Sequence, residues 1–386
     1  MDLQPPPLLS SLSAYEQQAD RLLAAHRDAD PAAIDLFHRK HPRFLDEKIK
    51  WLPKFIPDSD IRDTVLSLED ARLAIARNYD FLDWPSLAGF VDAVAQDGPV
   101  YAFEAAVEAV VNGDLTSLQD ALRHDPALIH ARSSRVCCFD PPVHGATLLH
   151  YIAANGVEAY RQKTPGNAVE IARALLVAGA EPDALADMYG TACTTMSMLV
   201  SSSHPANAGL QVALTGLLLD FGAAIEGCGG GKWERPLFTA LAFGMGDVAT
   251  FLAERGASID LPAAAGLGLV GEAARQIVSA NQDQCRRALS LAAQQGHAEI
   301  VGLLLDAGLD PNCFNPDSNH PHTTPLHQAV LGGHEDVVRL LVARGARLDI
   351  CDTIWDGTPL GWAIHAGGKK DKARMADCLR SLGATE

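Results

Sequence analysis

Between residues 287 and 349 the apolar positions come in short bursts at helical spacing. They are separated by polar punctuation that repeats. "RALSLAAQQGHAEIVGLLLDAGLDPN" (287–312) and "TTPLHQAVLGGHEDVVRLLVARGARLD" (323–349) each hold two amphipathic segments joined by a Gly-His pair. A glycine closes the second segment, where a left-handed C-cap is wanted. The closing glycine recurs as Gly179, Gly222, Gly256, Gly308, Gly345 and Gly383, at intervals of 43, 34, 52, 37 and 38 residues. An earlier divergent unit fits "FEAAVEAVVNGDLTSLQDALRHDPALI" (103–129), and the interval of 52 leaves room for a shortened one in "LPAAAGLGLVGEAARQIV" (261–278).

"TPLH" followed by "GH" and "LLVARGA" resembles the ankyrin repeat, whose period is about 33 residues. The resemblance implies an all-α ankyrin-repeat solenoid of about seven or eight stacked helix pairs over residues 101–386. Such units bury their apolar faces only against neighbours and so share one continuous core. Together with "LEDARLAIARNYDFLDWPSLAGFV" and "DGTPLGWAIHAGG", the chain is similar to a group of bacterial ankyrin-repeat proteins of unassigned function, a likeness that implies the fold and supplies no activity.

Residues 1–100 follow another pattern. "SAYEQQADRLLAAHRDADPAAIDLFHRKHP" reads as two helices broken at Asp30–Pro31, and Ser67 with Asp70 forms a capping-box pattern. The proline-bearing stretch between them reads as irregular. We expect a helical domain that covers the exposed end of the first repeat.

Two neighbouring repeats are longer than the pattern requires. Against "TPLHQAVLGG", the unit beginning "TLLHYIAANG" carries 11 extra residues, and the unit beginning "TTMSMLVSSSH" carries seven. The inserts lie near 157–168 and 205–211, between the two helices of their units. A plain spacer would be built of Gly, Ser and Pro, yet the first insert offers Glu158, Tyr160, Arg161, Gln162 and Lys163. Tyr151, Asn155, Tyr189, Ser201, Ser203 and His204 stand nearby in the pattern, and we expect Tyr160 and Arg161 to face a pocket made with Ser201–His204. Trp233, in a glycine-rich loop, and Trp355, at a hairpin tip set by Asp356–Gly357, are further binding candidates. If the site is catalytic, Glu158 or His204 would move a proton and Arg161 would hold an anionic group.

Composition narrows the function. The formal charge of −17 argues against nucleic acid, which demands clustered Lys and Arg, and against anionic membranes. The N-terminus lacks a secretory pattern and the apolar runs are too short to span a bilayer. Eight scattered cysteines without a C-x-x-C pair read as reduced thiols of a cytoplasmic protein. "GLGLVG" sits within a helical repeat and "EGCGGGKW" departs from a phosphate loop at Glu226 and Trp233, so neither implies a nucleotide. No metal or cofactor is expected, and a monomer is favoured over an oligomer. The reading is a binding protein that takes a protein or peptide partner through its concave face and the two inserts. A small-molecule site or enzyme built by the inserts is the other reading.

Overall fold

A computed structural model describes residues 10–228, 235–317, 319–365 and 372–385. They fall into two compact units, the first ending at Ala223 and the second beginning at Ala224.

The first unit opens with α1 (Leu12–Arg27), α2 (Pro31–Lys40), α3 (Asp58–Arg62), α4 (Leu68–Asn78) and α5 (Trp84–Ala95). Asp30 caps α2 through the amides of Ala32 and Ala33, with Pro31 at the first helical position, where no N–H is needed. The expected capping box forms between Ser67 and Asp70 at the start of α4. Helices α1, α2 and α4 enclose a core of Leu22, Phe37, Ile61, Ile75 and Phe81.

Helix α5 leads into the first repeat, α6 (Pro99–Asn112) and α7 (Leu115–His124). The second repeat starts with a 3-10 segment, Leu148–Ala153, rather than an α-helix. It then runs through a short 3-10 turn (Ala159–Arg161) to α8 (Ala168–Val177). Leu148 stands where Pro236, Pro325 and Pro359 open the first helices of three later units, and Ala154 ends the segment in the left-handed region at φ 47°. A two-stranded hairpin, β1 (Ala186–Met188) with β2 (Thr191–Cys193), is the one strand pair among the described residues. The third repeat comprises α9 (Thr195–Leu199), α10 (Ser203–Asn207) within its extra segment, and α11 (Gln211–Asp220).

The second unit holds five pairs: α12 (Pro236–Ala242) with α13 (Gly246–Glu254), α14 (Leu261–Gly266) with α15 (Val270–Ile277), α16 (Gln282–Gln295) with α17 (Ala298–Asp306), α18 (Pro325–Gly332) with α19 (Glu335–Ala343), and α20 (Pro359–His365) with α21 (Lys372–Ser381). Here first helices pack on first helices and second on second, around a core of Leu, Ala, Val and Ile side chains. The shortened unit is α14–α15. Eight helix pairs are thus present among the described residues.

The punctuation acts as its chemistry predicts. The six closing glycines sit at φ between 93° and 101°, a region that strains any residue with a Cβ. In "TLLH" and "TPLH" the histidine Nδ1 pairs with the threonine hydroxyl. Its Nε2 meets the next hairpin, His150 at Cys193 O (3.4 Å) and His327 at Gly357 O (3.1 Å). The "GH" histidines do the same backward: His297 donates to Gly266 O at 3.0 Å and His334 to Gln294 O at 2.9 Å.

Candidate functional site

The first insert turns inward. Glu158 and Arg161 are buried, at 0% and 1% exposure. Two glutamates of α6 await the arginine. Its Nη1 lies 2.6 Å from Glu104 Oε2, its Nε donates to Glu108 Oε1 at 3.0 Å, and its Nη2 lies 2.9 Å from that same oxygen. Glu158 Oε1 accepts from His144 Nε2 at 3.1 Å and lies 3.3 Å from Arg135 Nε. Arg135 is enclosed as well. Its guanidinium stacks 4.1 Å above the Phe81 ring and 4.5 Å from Phe90, and donates to Tyr79 O and Tyr160 Oη. Tyr160 meets Tyr79 edge-on at 6.2 Å.

The backbone of the insert is tied down too. Ala159 N–H donates to Asp80 Oδ2 at 2.6 Å. Asp80 is itself held at φ 61° and lies 3.7 Å from Lys40 Nζ. Gln162 donates to Val157 O, and Lys163 reaches Asn112 Oδ1.

Burial works against a charged Glu158, but Arg135, the His144 hydrogen bond and Arg161 more than offset it and hold the carboxyl far below the usual range. Burial pushes the Tyr160 phenol up to about 12. Tyr151 is fully buried and its hydroxyl has no hydrogen-bond partner among the described residues.

The expected pocket between Tyr160–Arg161 and Ser201–His204 does not form. Arg161 finds its counter-charges on α6, so the insert faces the first repeat and the N-terminal helices. The Ser201 segment meets the start of the insert's own repeat instead. Asn155 Nδ2 donates to Ser201 Oγ at 3.0 Å, Tyr189 Oη donates to Asn155 Oδ1 at 3.0 Å, and Ser202 Oγ donates to Ala154 O. Ser203 and His204 are exposed on α10. Glu158 and His204, the two candidate proton carriers, therefore share no site. Trp233 lies outside the described residues.

Cys137, His144 and Glu158 bring three metal-ligating atoms within 4.8 Å of one another. His144 Nδ1 accepts from Ala146 N–H at 3.1 Å, so the hydrogen aimed at Glu158 is on Nε2. A cation there would have to displace that hydrogen while standing beside the Arg135 guanidinium. Burial, with Glu158 nearby, raises the Cys137 thiol far from its thiolate range. The trio belongs to the hydrogen-bonded network. Sequence reading found Glu158 and Arg161 but missed Glu104, Arg135 and His144, which are 14 to 57 residues away in sequence and carry no local motif.

In the second unit Trp355 stands at the tip of a hairpin, 51% exposed. Asp352, buried at its base, fixes that tip. Its Oδ1 accepts from the amides of Ile354 and Trp355, and its Oδ2 accepts from Gly357 N–H and from Trp362 Nε1. The rings continue along neighbouring elements. Trp355 lies 5.3 Å from His322, His322 lies 6.0 Å from His320, and His320 lies 6.3 Å from Phe243. Trp362 closes the row from beneath, buried between His322 and His327. His320 Nε2 donates to Ala242 O.

The family model for ankyrin repeats in three copies matches residues 261–352 and 289–375. Rat cyclin-dependent kinase 4 inhibitor B is 35% identical over 125 residues, which is 31% of this chain and 91% of that protein. The chain belongs to the ankyrin-repeat family. The human inhibitor is 36% identical over 118 residues, 29% of this chain and 81% of its own length. An ankyrin repeat and KH domain-containing protein, mask-1, of Caenorhabditis elegans is 30% identical over 214 residues, 52% of this chain but 8% of that protein. Among solved structures, the human ASB11 ankyrin repeat domain covers 73% of this chain and 98% of its own, with 17% identity and a TM-score of 0.37. The family model and the inhibitor relatives establish the ankyrin fold expected from the sequence, and the helix pairs can be called ankyrin repeats.

Proposed function

We propose that this ankyrin-repeat protein recognises a protein or peptide partner through the aromatic row of its second unit. One observation carries the reading: a half-exposed tryptophan, Trp355, on a hairpin whose backbone is already fixed by the buried Asp352 carboxylate. Tryptophans that gain burial on binding are the usual energetic anchors of interfaces. An anchor held in place beforehand loses little entropy when it docks. The relatives named as inhibitors of cyclin-dependent kinase 4 act on a protein, which supports the same class of activity here. Residues 1–100 serve, in this reading, as the helical cap of the first repeat.

The inserts are given a different task. Glu158, Tyr160 and Arg161 already have partners inside the protein, so the groups the small-molecule alternative relied on in the first insert are engaged.

The test is selection of short peptides from a displayed random library on the full-length protein. Selected peptides should lose at least about tenfold in affinity, some 1.4 kcal/mol, on Trp355→Ala. Peptides indifferent to Trp355→Ala but abolished by Ser203→Ala or His204→Ala would move the binding surface to the third repeat.

A further inference from the structure

Resting on that docking reading, we infer that the partner segment is an extended, proline-rich chain carrying Lys or Arg. Three features of the aromatic row point to it.

The first is spacing. Neighbouring rings from Phe243 to Trp355 are 5.3 to 6.3 Å apart, close to the rise of two residues in a polyproline II chain, about 6 Å. Prolyl rings pack flat against aromatic faces, and the polyproline II chain is ordered before it binds. A helix would instead present anchors every three or four residues and would want a groove.

The second is an idle imidazole. His322 is ringed by Trp355, Trp362 and His320, and neither of its ring nitrogens has a hydrogen-bond partner among the described residues. Its neighbours are committed: His320 to Ala242 O, and Trp362 Nε1 to Asp352. A polyproline II chain makes no internal hydrogen bonds and leaves its carbonyls free. The N–H of His322 is therefore a ready donor for one of them.

The third is charge. The two hairpin segments that carry the row, residues 309–324 and 346–358, hold five aspartates against a single arginine. That arginine, Arg347, is bound to Asp349. Asp317 and Asp356 are exposed, with Asp356 next in sequence to Trp355. A Lys or Arg beside the prolines would meet both a carboxylate and a tryptophan face.

The experiment reads the composition and binding of the selected peptides. Panning on the full-length protein should enrich proline together with Lys or Arg. The enriched peptides should show polyproline II circular dichroism when free. Their affinity should fall at least about tenfold with Trp355→Ala and about fivefold or more with His322→Phe, which keeps a ring but removes the N–H. Asp356→Asn should weaken binding and flatten its salt dependence. Melting temperatures of the variants, measured alongside, separate a lost contact from a lost fold. Enriched peptides that respond to Trp355→Ala but lack proline, or that bind as helices, would overturn the polyproline assignment and leave the docking surface standing. Enrichment of Asp and Glu would overturn the cationic part. No enrichment, or peptides indifferent to Trp355→Ala, would overturn both readings.

Discussion

The first insert and the Trp355 hairpin use similar side chains for opposite ends. Each is an irregular segment between helices, and each gathers aromatic and titratable groups. In and around the insert both guanidinium groups face protein acceptors: Arg161 meets Glu104 and Glu108, while Arg135, packed against the insert, meets Tyr160, Tyr79 O and Glu158. On the hairpin the donors of the scaffold are satisfied by Asp352, and the ring at the tip is left facing solvent. Residue type does not separate internal mortar from the proposed binding surface. What separates them is whether a counter-group is already within reach.

Breaking the insert should give the largest effect. Arg161→Ala leaves Glu104 buried with its strongest ion pair removed, and stranding a buried charge costs about 3–5 kcal/mol. Urea unfolding should show a midpoint shift of that size, and a loss below about 1 kcal/mol would return the insert to candidacy as a ligand site. Acid should act next. Burial holds His150 neutral, its hydrogen bond to Cys193 O opposing only in part, and lowers its pKa to about 4. The unfolded chain takes up that proton near pH 6.5 while the folded one does not. The stabilisation is therefore complete above about 6.5 and lost as pH falls toward about 4. At pH 5 the deficit from this one group is about 2 kcal/mol, checked by comparing unfolding free energies at pH 7 and 5 in the protein and in His150→Gln, where this part should vanish. Trp355→Ala should be the mildest for the fold, within about 0.5 kcal/mol, although it is the change expected to damage binding most. A drop of several kcal/mol on thermal unfolding would show that Trp355 is structural and dissolve the contrast.

The repeats were legible because their signals are local. The Gly at the end of each second helix, the His of "TPLH" and the Ser67–Asp70 box act within a few residues or on the adjacent unit, and each forms as its pattern implies. The destination of Arg161 was not legible. Its composition announced a polar constellation, but its partners on α6 lie more than fifty residues earlier, beyond any short-range pattern. Two lengthened repeats in succession suggested inserts that touch, whereas the first one found a stronger electrostatic partner on the other side. The tip position of Trp355 followed from Asp356–Gly357. The row running from it through His322 and His320 to Phe243 depends on stacking between repeats separated by up to about a hundred residues.

The tie between Ala159 and Asp80, with Arg135 spanning Tyr79 and Tyr160, bears on how this protein comes apart. Repeat arrays ordinarily fray from an end, one unit releasing after another, since each leans only on its neighbours. Here α2, the turn after α4, α6 and the second repeat share one polar network around the buried Arg135, Glu158 and Arg161, so detaching any one of them removes partners from the rest. The amino-terminal end is thereby welded into one cooperative block. Its amides should exchange with solvent together, in a single opening event, rather than in a graded series along the chain.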